Sequence, residues 1–191
     1  MNEVRSGCIV RATAQDEASG AVISPCGRYR YELRRPADAP RAVSARLLWV
    51  MLNPSTANAV DDDPTIRRCR GFSEAWGYGG AFCVGNLYGW RSPYPAALRA
   101  ADDPIGDPHN GDHLRLMAIE AEVIMLAWGS DEGPVKKRSD KILEHLWVWN
   151  RKFHVLGWTK HGSPRHPLMF PAIPKPIPWD RVPPPSEDSK P

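Results

Sequence analysis

The apolar positions of the chain alternate between short continuous runs and stretches with helical spacing. Four continuous runs, each followed by polar or glycine residues, predict strands that are buried on both faces. They are Leu47–Leu52, Ala81–Val84, Val123–Trp128 and Phe153–Leu156. Three stretches with apolar residues about 3.6 positions apart predict helices. They are Ile66–Trp76, Asp112–Glu120 and Lys136–Asn150. Strands that alternate with helices predict an α/β fold in three layers, α/β/α, with a mostly parallel sheet.

The segments on either side of this alternation have a different composition. Residues 1–46 are polar and rich in turn residues, and they predict a strand pair, Ala21–Ser24 and Tyr29–Leu33, packed on the main domain of residues 47–168. Residues 166–191 contain nine prolines in 26 positions, so we expect residues 169–191 to form an extended, partly disordered, proline-rich tail. The functional alternative for this tail is a docking peptide for a proline-binding module.

Composition changes this picture little. Hydrophobic residues make up 42% and charged residues 25% of the chain, which excludes a disordered or fibrous protein. The net charge of +3 permits DNA as a partner without requiring it. The four cysteines contain no C-x-x-C pair, which indicates free thiols in a reducing compartment. With no signal peptide and no apolar run of membrane-spanning length, we expect a cytoplasmic protein that does not enter membranes.

Three polar segments follow predicted strands and carry the candidate chemistry. They are Asn53–Thr56, Asn86–Arg91 and Ser163–Pro167. In a parallel sheet the carboxyl ends of the strands meet at one edge, which is where α/β proteins build their sites. The sequence therefore predicts one cleft lined by Asn53, Asn86 and His166.

These segments also resemble the motifs of a known family, the uracil-DNA glycosylase superfamily. Val50-Met-Leu-Asn-Pro-Ser55 resembles its first motif, and Val84-Gly-Asn-Leu-Tyr-Gly-Trp-Arg-Ser-Pro93 is similar to a second strand that ends in a base-reading Asn. Val123-Ile-Met-Leu-Ala-Trp-Gly129 resembles the third strand, and Ser163-Pro-Arg-His-Pro167 resembles the last motif, a loop that enters the minor groove. The motif order matches over residues 47–168. The departures are Met51 and Ser55 in place of glycine, and Leu168 in place of serine.

A second resemblance is to a bacterial and phage domain family. Its marks are Asn-Pro-Ser-Thr, Asp-Asp-Pro-Thr-Ile-Arg-Arg-Cys and Pro-Arg-His-Pro-Leu, which stand here at residues 53–56, 62–69 and 164–168.

The first resemblance implies a uracil-DNA glycosylase-like fold and hydrolysis of the N-glycosidic bond of a base extruded from DNA, uracil-like or a modified pyrimidine. Asn53 does not titrate but orients a water through its carbonyl oxygen, and His166 donates to base O2 or to a phosphate. Asn86 accepts from the base N3–H and donates to O4. Further base contacts are expected from Leu52, Tyr88 and Trp90. Contacts to DNA phosphates are expected from Ser55, Thr56, Arg91 and Arg165.

Two other function classes are alternatives. One is a nucleic-acid-binding module that keeps the pocket without the chemistry. The other is a metal-dependent phosphoesterase, with Mg²⁺ held by Asp61–Asp63 and Asp102–Asp103, or zinc held by His109 and His113. We prefer Asp63 as the N-cap of a helix that begins at Pro64, and Asp102–Asp103 as a turn, and expect neither metal nor cofactor.

Overall fold

The computed structural model of the chain describes residues 20–36, 47–78, 82–106, 108–129, 134–147 and 152–179. In these residues seven strands form one sheet in the order β1-β2-β4-β3-β5-β6-β7. The strands are β1 (Ala21–Ile23), β2 (Arg30–Arg35), β3 (Leu47–Met51), β4 (Phe82–Asn86), β5 (Val123–Leu126), β6 (Lys152–Val155) and β7 (Ile177–Pro178). The helices in the same residues are α1 (Pro64–Ala75), α2 (Pro95–Ala100), α3 (His109–Glu120) and α4 (Pro134–Trp147), with a 3₁₀ turn at Pro167–Met169.

The predicted α/β class is confirmed, but the sheet is mixed. Strands β4, β3, β5 and β6 pair in parallel, while β1, β2 and β7 pair with their neighbours in antiparallel orientation. Parallel pairing is therefore confined to the middle of the sheet. The antiparallel strands come from segments outside the strand–helix alternation, namely the amino-terminal hairpin and the proline-rich segment, which extend the two edges.

Helices pack on both faces of the sheet, which explains the continuous apolar runs. In β3, Leu47, Trp49 and Met51 face a core shared with α1, the α1-side core. Leu48 and Val50 face a core shared with α3 and α4, the α3/α4-side core. Because successive side chains of a strand point to opposite faces, a strand covered on both sides is apolar at every position.

Helix α1 begins where the sequence predicts. Asp63 is its N-cap, and one carboxylate oxygen of Asp63 accepts a hydrogen bond of 2.9 Å from the backbone N–H of Ile66. Pro64 occupies the first helical position, where its missing N–H costs nothing. The loop from β3 to this N-cap lies at the carboxyl ends of the central strands, so the positive end of the helix dipole lies there too.

The amino-terminal strand pair is part of the sheet. Strand β2 pairs with β4, and the pairing runs from Leu33 opposite Val84 to Arg35 opposite Phe82. Within the described residues, no disulfide joins Cys26, Cys69 and Cys83. Residues 1–19 and 37–46 of the predicted 1–46 segment lie outside the described residues.

Part of the proline-rich segment adds a strand that the sequence analysis did not predict. Ile177 and Pro178 pair with β6, and the backbone N–H of Trp179 donates to Phe153 O at 2.9 Å. The indole of Trp179 is buried in the α3/α4-side core, with its ring centroid 6.1 Å from that of Phe153. Residues 180–191 lie outside the described residues. None of the helices in the described ranges has the length and apolar content needed to cross a membrane.

The burial of Trp179 predicts that the proline-rich segment contributes to stability. We expect Trp179→Ala to lower the free energy of unfolding by about 3 kcal/mol, the usual cost of deleting a large buried aromatic ring. The control is Ile177→Ala on the same strand, whose side chain is 44% exposed. It should change stability by about 0.5 kcal/mol or less. Urea unfolding followed by circular dichroism measures both, and equal effects would contradict this packing.

Candidate functional site

Three predicted site residues lie at the carboxyl edge of three adjacent strands. Asn53 follows β3, and Asn86 ends β4, where it is the pairing partner of Met51. His166 lies beside Gly129, just after β5: a Cβ built on Gly129 would be 3.6 Å from the Cβ of His166. Strand β3 pairs with both β4 and β5, so the three residues share one edge of the sheet.

The loops after β3 and β4 continue side by side beyond the strands. The backbone N–H groups of Leu87 and Tyr88 donate to Met51 O and Leu52 O at 2.8 and 3.0 Å. Ser92 N–H then donates to Pro54 O at 2.8 Å. The first two predicted polar segments are thus held against each other by backbone hydrogen bonds.

The Asn53 carboxamide is held in one orientation. Its Nδ2 donates to Ser92 O at 2.9 Å and Pro54 O at 3.1 Å. Because carbonyl oxygens only accept, Nδ2 must face them, and Oδ1 points the other way. No other residue of the described chain donates to this Oδ1, and the side chain is half-buried. The Asn53 side chain therefore has a fixed orientation, and within the described chain its Oδ1 is available to accept a hydrogen bond. An aspartate could not reproduce this, because it would place a carboxylate against two carbonyl oxygens.

The Asn86 carboxamide is buried, and in the described residues only its oxygen has a hydrogen-bond partner. The residue is 2% exposed, and its Oδ1 accepts from Nη2 of Arg30 at 3.4 Å. Arginine has only donors, so the atom that faces it must be Oδ1. The Nδ2 group is buried and has no hydrogen-bond partner in the described residues. Leaving such a donor unsatisfied costs about 1–3 kcal/mol. The predicted cleft is thus closed over Asn86 in this structure.

Arg30 of β2 lies against this edge, and the sequence analysis missed it. Its side chain is buried, Nη1 donates to Ala57 O at 3.0 Å, and Nε has no partner in the described residues. Burial lowers the pKa of Arg30 to about 10, and the nearby carboxylate of Asp63 opposes this shift. The guanidinium remains charged at neutral pH. A charged residue in a polar segment carries no sequence signal of burial, because solvent is its expected environment, yet β2 lies between β1 and β4 in the sheet.

Asn110 is a second buried polar residue without a sequence signal. Its Nδ2 donates to Asn86 O at 3.1 Å and to Leu87 O at 3.2 Å from the first turn of α3. These bonds hold the backbone at the end of β4, where parallel pairing stops.

His166 is a hydrogen-bond donor in its neutral form. Its Nδ1 accepts from the backbone N–H of Leu168 at 3.3 Å, so in the neutral ring the proton is on Nε2. Burial lowers the pKa of His166, and the carboxylate of Asp63 opposes the shift. The ring is therefore neutral at pH 7 and presents Nε2–H.

The predicted aromatic and apolar contacts divide between the core and the edge. Tyr88 is buried in the α3/α4-side core, and half-buried Leu52 packs against the same cluster. Trp90 is half-buried and meets Tyr29 edge-on, with ring centroids 5.5 Å apart. Of the three residues, Trp90 keeps a partly open ring, and Tyr88 is positioned as a core residue.

The predicted phosphate contacts lie on the loops around this edge. Ser55 is half-buried and Thr56 is exposed, and neither hydroxyl makes a hydrogen bond within the described chain. Arg91 donates from Nη1 to Gly27 O at 3.1 Å. The guanidinium carbon of Arg165 lies 5.2 Å from the centroid of the Phe170 ring.

Most of the residues proposed for metal binding have structural partners. Asp62 forms an ion pair of 2.6 Å with Arg35, and a carboxylate oxygen of Asp103 accepts from Gly106 N–H at 3.0 Å. His113 contacts Glu32 at 2.6 Å. Within the described ranges, no group of three or more His, Cys, Asp or Glu side chains is arranged to hold a metal ion. Asp62 and Asp103 thus stabilise loops, and Asp63 caps α1 as predicted.

A cavity of about 290 Å³ lies between α3 and α4. Its walls combine apolar and basic side chains, among them Leu114, Ile142, Arg115 and Lys141. It is on the opposite face of the sheet from Asn86, whose side chain shares the α1 face with that of Val84. The cavity is therefore separate from the candidate site.

The fold and this edge define an α/β domain with a candidate ligand site at the carboxyl ends of its central strands. The chain belongs to the family described as "Protein of unknown function (DUF1643)", whose model matches residues 30–168. The match begins at Arg30 and spans all three polar segments. No curated protein and no solved structure matched the chain.

The surroundings of His166 predict its titration. We expect a pKa below the ordinary value of about 6.5, because burial disfavours the imidazolium. Since the folded state then binds fewer protons than the unfolded state, the free energy of unfolding falls as the pH drops through 6.5 towards the folded pKa. NMR titration of ¹⁵N-labelled histidines measures the pKa and the Nε2–H tautomer, with His166→Gln for assignment. Asp63→Asn, which retains an N-cap, should lower the pKa further. A pKa above 6.5 would contradict the described environment.

Proposed function

We propose that this protein is a DNA glycosylase of the uracil-DNA glycosylase type, which hydrolyses the N-glycosidic bond of an extruded uracil-like or modified pyrimidine base. The observation that carries the proposal is the pair Asn53 and Asn86 on adjacent strand ends, each with its carboxamide held in one orientation. One amide leaves an acceptor available and the other a donor. The motif resemblance over residues 47–168 supports the same function and the finer, glycosylase-like description of the fold.

Asn53 orients the attacking water in this proposal. A carboxamide does not act as a base at neutral pH, but its oxygen can accept a hydrogen bond from water. That role suffices when the base departs before the water attacks, because the sugar cation is then a strong electrophile. The bonds from Nδ2 to the loop carbonyls pre-organise the oxygen and reduce the reorganisation needed in the transition state.

Asn86 and His166 recognise the base. The Nδ2 of Asn86 donates to a base carbonyl, and Nε2–H of His166 donates to O2, where negative charge develops as the base leaves. Because Asn86 is 2% exposed, the base reaches it only when the adjoining loops separate. The cost of unpairing and unstacking the base adds to this requirement, so a damaged or mismatched base enters more readily.

DNA is the partner that the charges support. The net charge is +3, and Arg91 and Arg165 lie on loops around the candidate edge. Ser55 and Thr56 add hydroxyl donors. Contacts of this kind go to phosphates and position the strand without reading its sequence.

A nucleic-acid-binding module without catalysis is the second candidate. The observation that favours it is the pair of bonds from Asn53 Nδ2 to Pro54 O and Ser92 O, which give Asn53 a structural role that needs no chemistry. The two candidates share the base pocket and differ in whether the glycosidic bond breaks.

Substitution of Asn53 separates these candidates. We expect Asn53→Ala to reduce single-turnover release of uracil from an oligonucleotide by about 100-fold or more, the scale of a lost positioned catalytic group. Binding to the same strand should change little. The control is Asn58→Ala in the same loop, which removes an Asx turn to Val60 and Asp61 and should retain most of the activity.

The assay scores abasic sites with EDTA present. An abasic product supports the glycosylase, and DNA binding without product supports the module. Strand cleavage that EDTA abolishes would support the phosphoesterase. If Asn53→Ala releases the base as fast as the parent, Asn53 is only a loop residue and the mechanism is wrong.

Salt dependence tests the phosphate contacts. Affinity for duplex DNA should fall linearly in a log–log plot against salt, with a slope of about −0.9 for each phosphate contact. Arg165→Ala should make the slope less negative by about 0.9, because one contact is lost. Arg99→Ala on α2, which is exposed and is not among the residues proposed to contact phosphates, should leave the slope unchanged. Salt-independent binding, or none at low salt, would count against both candidates.

A further inference from the structure

We infer that Arg30 is the specificity-determining positioning residue of this site. It locks the carboxamide of Asn86 in the one orientation that matches a uracil-like edge, and it places a buried positive charge behind the departing base. The inference rests on the proposed function and names its substrate class: bases with an imide N–H beside a carbonyl, which leave as anions.

Arg30 joins the two segments that build the base pocket. Its Nη2 donates to Asn86 Oδ1 at the end of β4, at 3.4 Å, and its Nη1 donates to Ala57 O in the loop after β3, at 3.0 Å. Both partners are buried, so the guanidinium is enclosed between them. If either segment moves, its hydrogen bond to Arg30 must break or the Arg30 side chain must move with it.

In the described residues no carboxylate forms an ion pair with Arg30, unlike Arg34 and Arg35 on the same strand. Arg34 pairs with Glu32 at 2.8 Å and Glu120 at 3.0 Å, and Arg35 pairs with Asp62 at 2.6 Å. Arg30 is 2% exposed, less than either of them, and the carboxylate of Asp63 acts on its charge from beyond ion-pair distance. An unpaired buried cation is costly, and a ligand that acquires negative charge would supply its counter-charge.

The orientation of Asn86 decides which base edge fits. Uracil presents an acceptor at O4 beside a donor at N3–H, whereas cytosine presents a donor at the 4-amino group beside an acceptor at N3. A carboxamide can match either edge, but only by rotating through 180°. Arg30 permits one rotamer, because in the other its N–H would face the Nδ2 protons. In the permitted rotamer Nδ2 donates to O4, and the second lone pair of Oδ1 accepts from N3–H.

The same charge assists the chemical step. The bond between C1′ and the base nitrogen breaks, and its electron pair stays on the base and spreads to the carbonyl oxygens. A water oriented by Asn53 adds its oxygen to C1′, and its proton passes to the base anion or to solvent. Positive charge already fixed near the base stabilises this anion without reorganisation in the transition state. Amino bases, which are poor anionic leaving groups, gain less.

The test compares three variants on oligonucleotides that carry uracil or cytosine at the same position. Arg30→Met, which keeps the aliphatic length without donors or charge, should lower single-turnover uracil release by about 100-fold. It should also reduce the uracil-to-cytosine ratio by about tenfold, with a smaller effect on DNA affinity. Arg30→Lys should recover part of both losses, because it keeps the charge and one donor direction. Arg34→Met on the same strand is the control for general disturbance of β2 and should leave the ratio unchanged.

A second readout does not depend on activity. The ¹H–¹⁵N signals of the Asn86 side-chain amide, assigned with Asn86→Asp, should shift in Arg30→Met and stay in place in Arg34→Met. If Arg30→Met does not fold, Arg30→Lys carries the test, and its ratio must fall below that of the parent.

The outcomes distinguish the inference from the proposed function. A parent that cleaves uracil, with an unchanged uracil-to-cytosine ratio in Arg30→Met and Arg30→Lys, overturns the inference and leaves the proposed function standing. A parent that neither cleaves nor binds any strand overturns the proposed function and the base selection with it. A lower uracil-to-cytosine ratio in Arg30→Met, together with a shifted signal of the Asn86 side-chain amide, supports the inference.

Discussion

The parallel pairing of β3 with β4 is the interaction on which the candidate site depends. β3 is buried on both faces and hydrogen-bonded on both edges, so it has little freedom of position. Its register with β4 places Met51 opposite Asn86. Backbone hydrogen bonds continue this pairing into the following loops, and they bring Asn53 to the carbonyl groups after β4. A shift of one residue in this register would turn Asn86 to the other face and dismantle the site.

At this edge, groups that can only donate or only accept hydrogen bonds fix the orientation of the side chains that they contact. Arginine only donates and carbonyl groups only accept, so each fixes the orientation of the carboxamide that it contacts. Arg30 fixes Asn86, the loop carbonyls fix Asn53, and a backbone N–H fixes the tautomer of His166. Asn53, Asn86 and His166 each carry both a donor and an acceptor, and these contacts fix which of the two each side chain can offer to a ligand.

The buried charge at this edge lowers stability, and the rest of the sheet offsets that cost. Trp49, Phe72 and Trp76 stack against one another in the α1-side core, with ring centroids between 5.6 and 6.3 Å apart. On the other face, Gly85 permits close approach of α3, since a Cβ there would lie 2.5 Å from Leu114 Cδ1. Strained or unsatisfied groups persist where the surrounding packing is strong enough to hold them, and they concentrate at functional sites.

Hydrophobic periodicity and local capping were enough to predict the central strands, the helices between them and the start of α1 at Asp63, because these features depend on neighbouring residues in the chain. The positions of Asn53, Asn86 and His166 at strand ends followed from the same pattern. Tertiary structure alone decided that β2 places Arg30 beside Asn86 and that Tyr88 and Trp179 are buried in the α3/α4-side core. Each of these is a contact between residues far apart in sequence. No local periodicity encodes such contacts, so a buried arginine looks like any surface charge until the sheet is assembled.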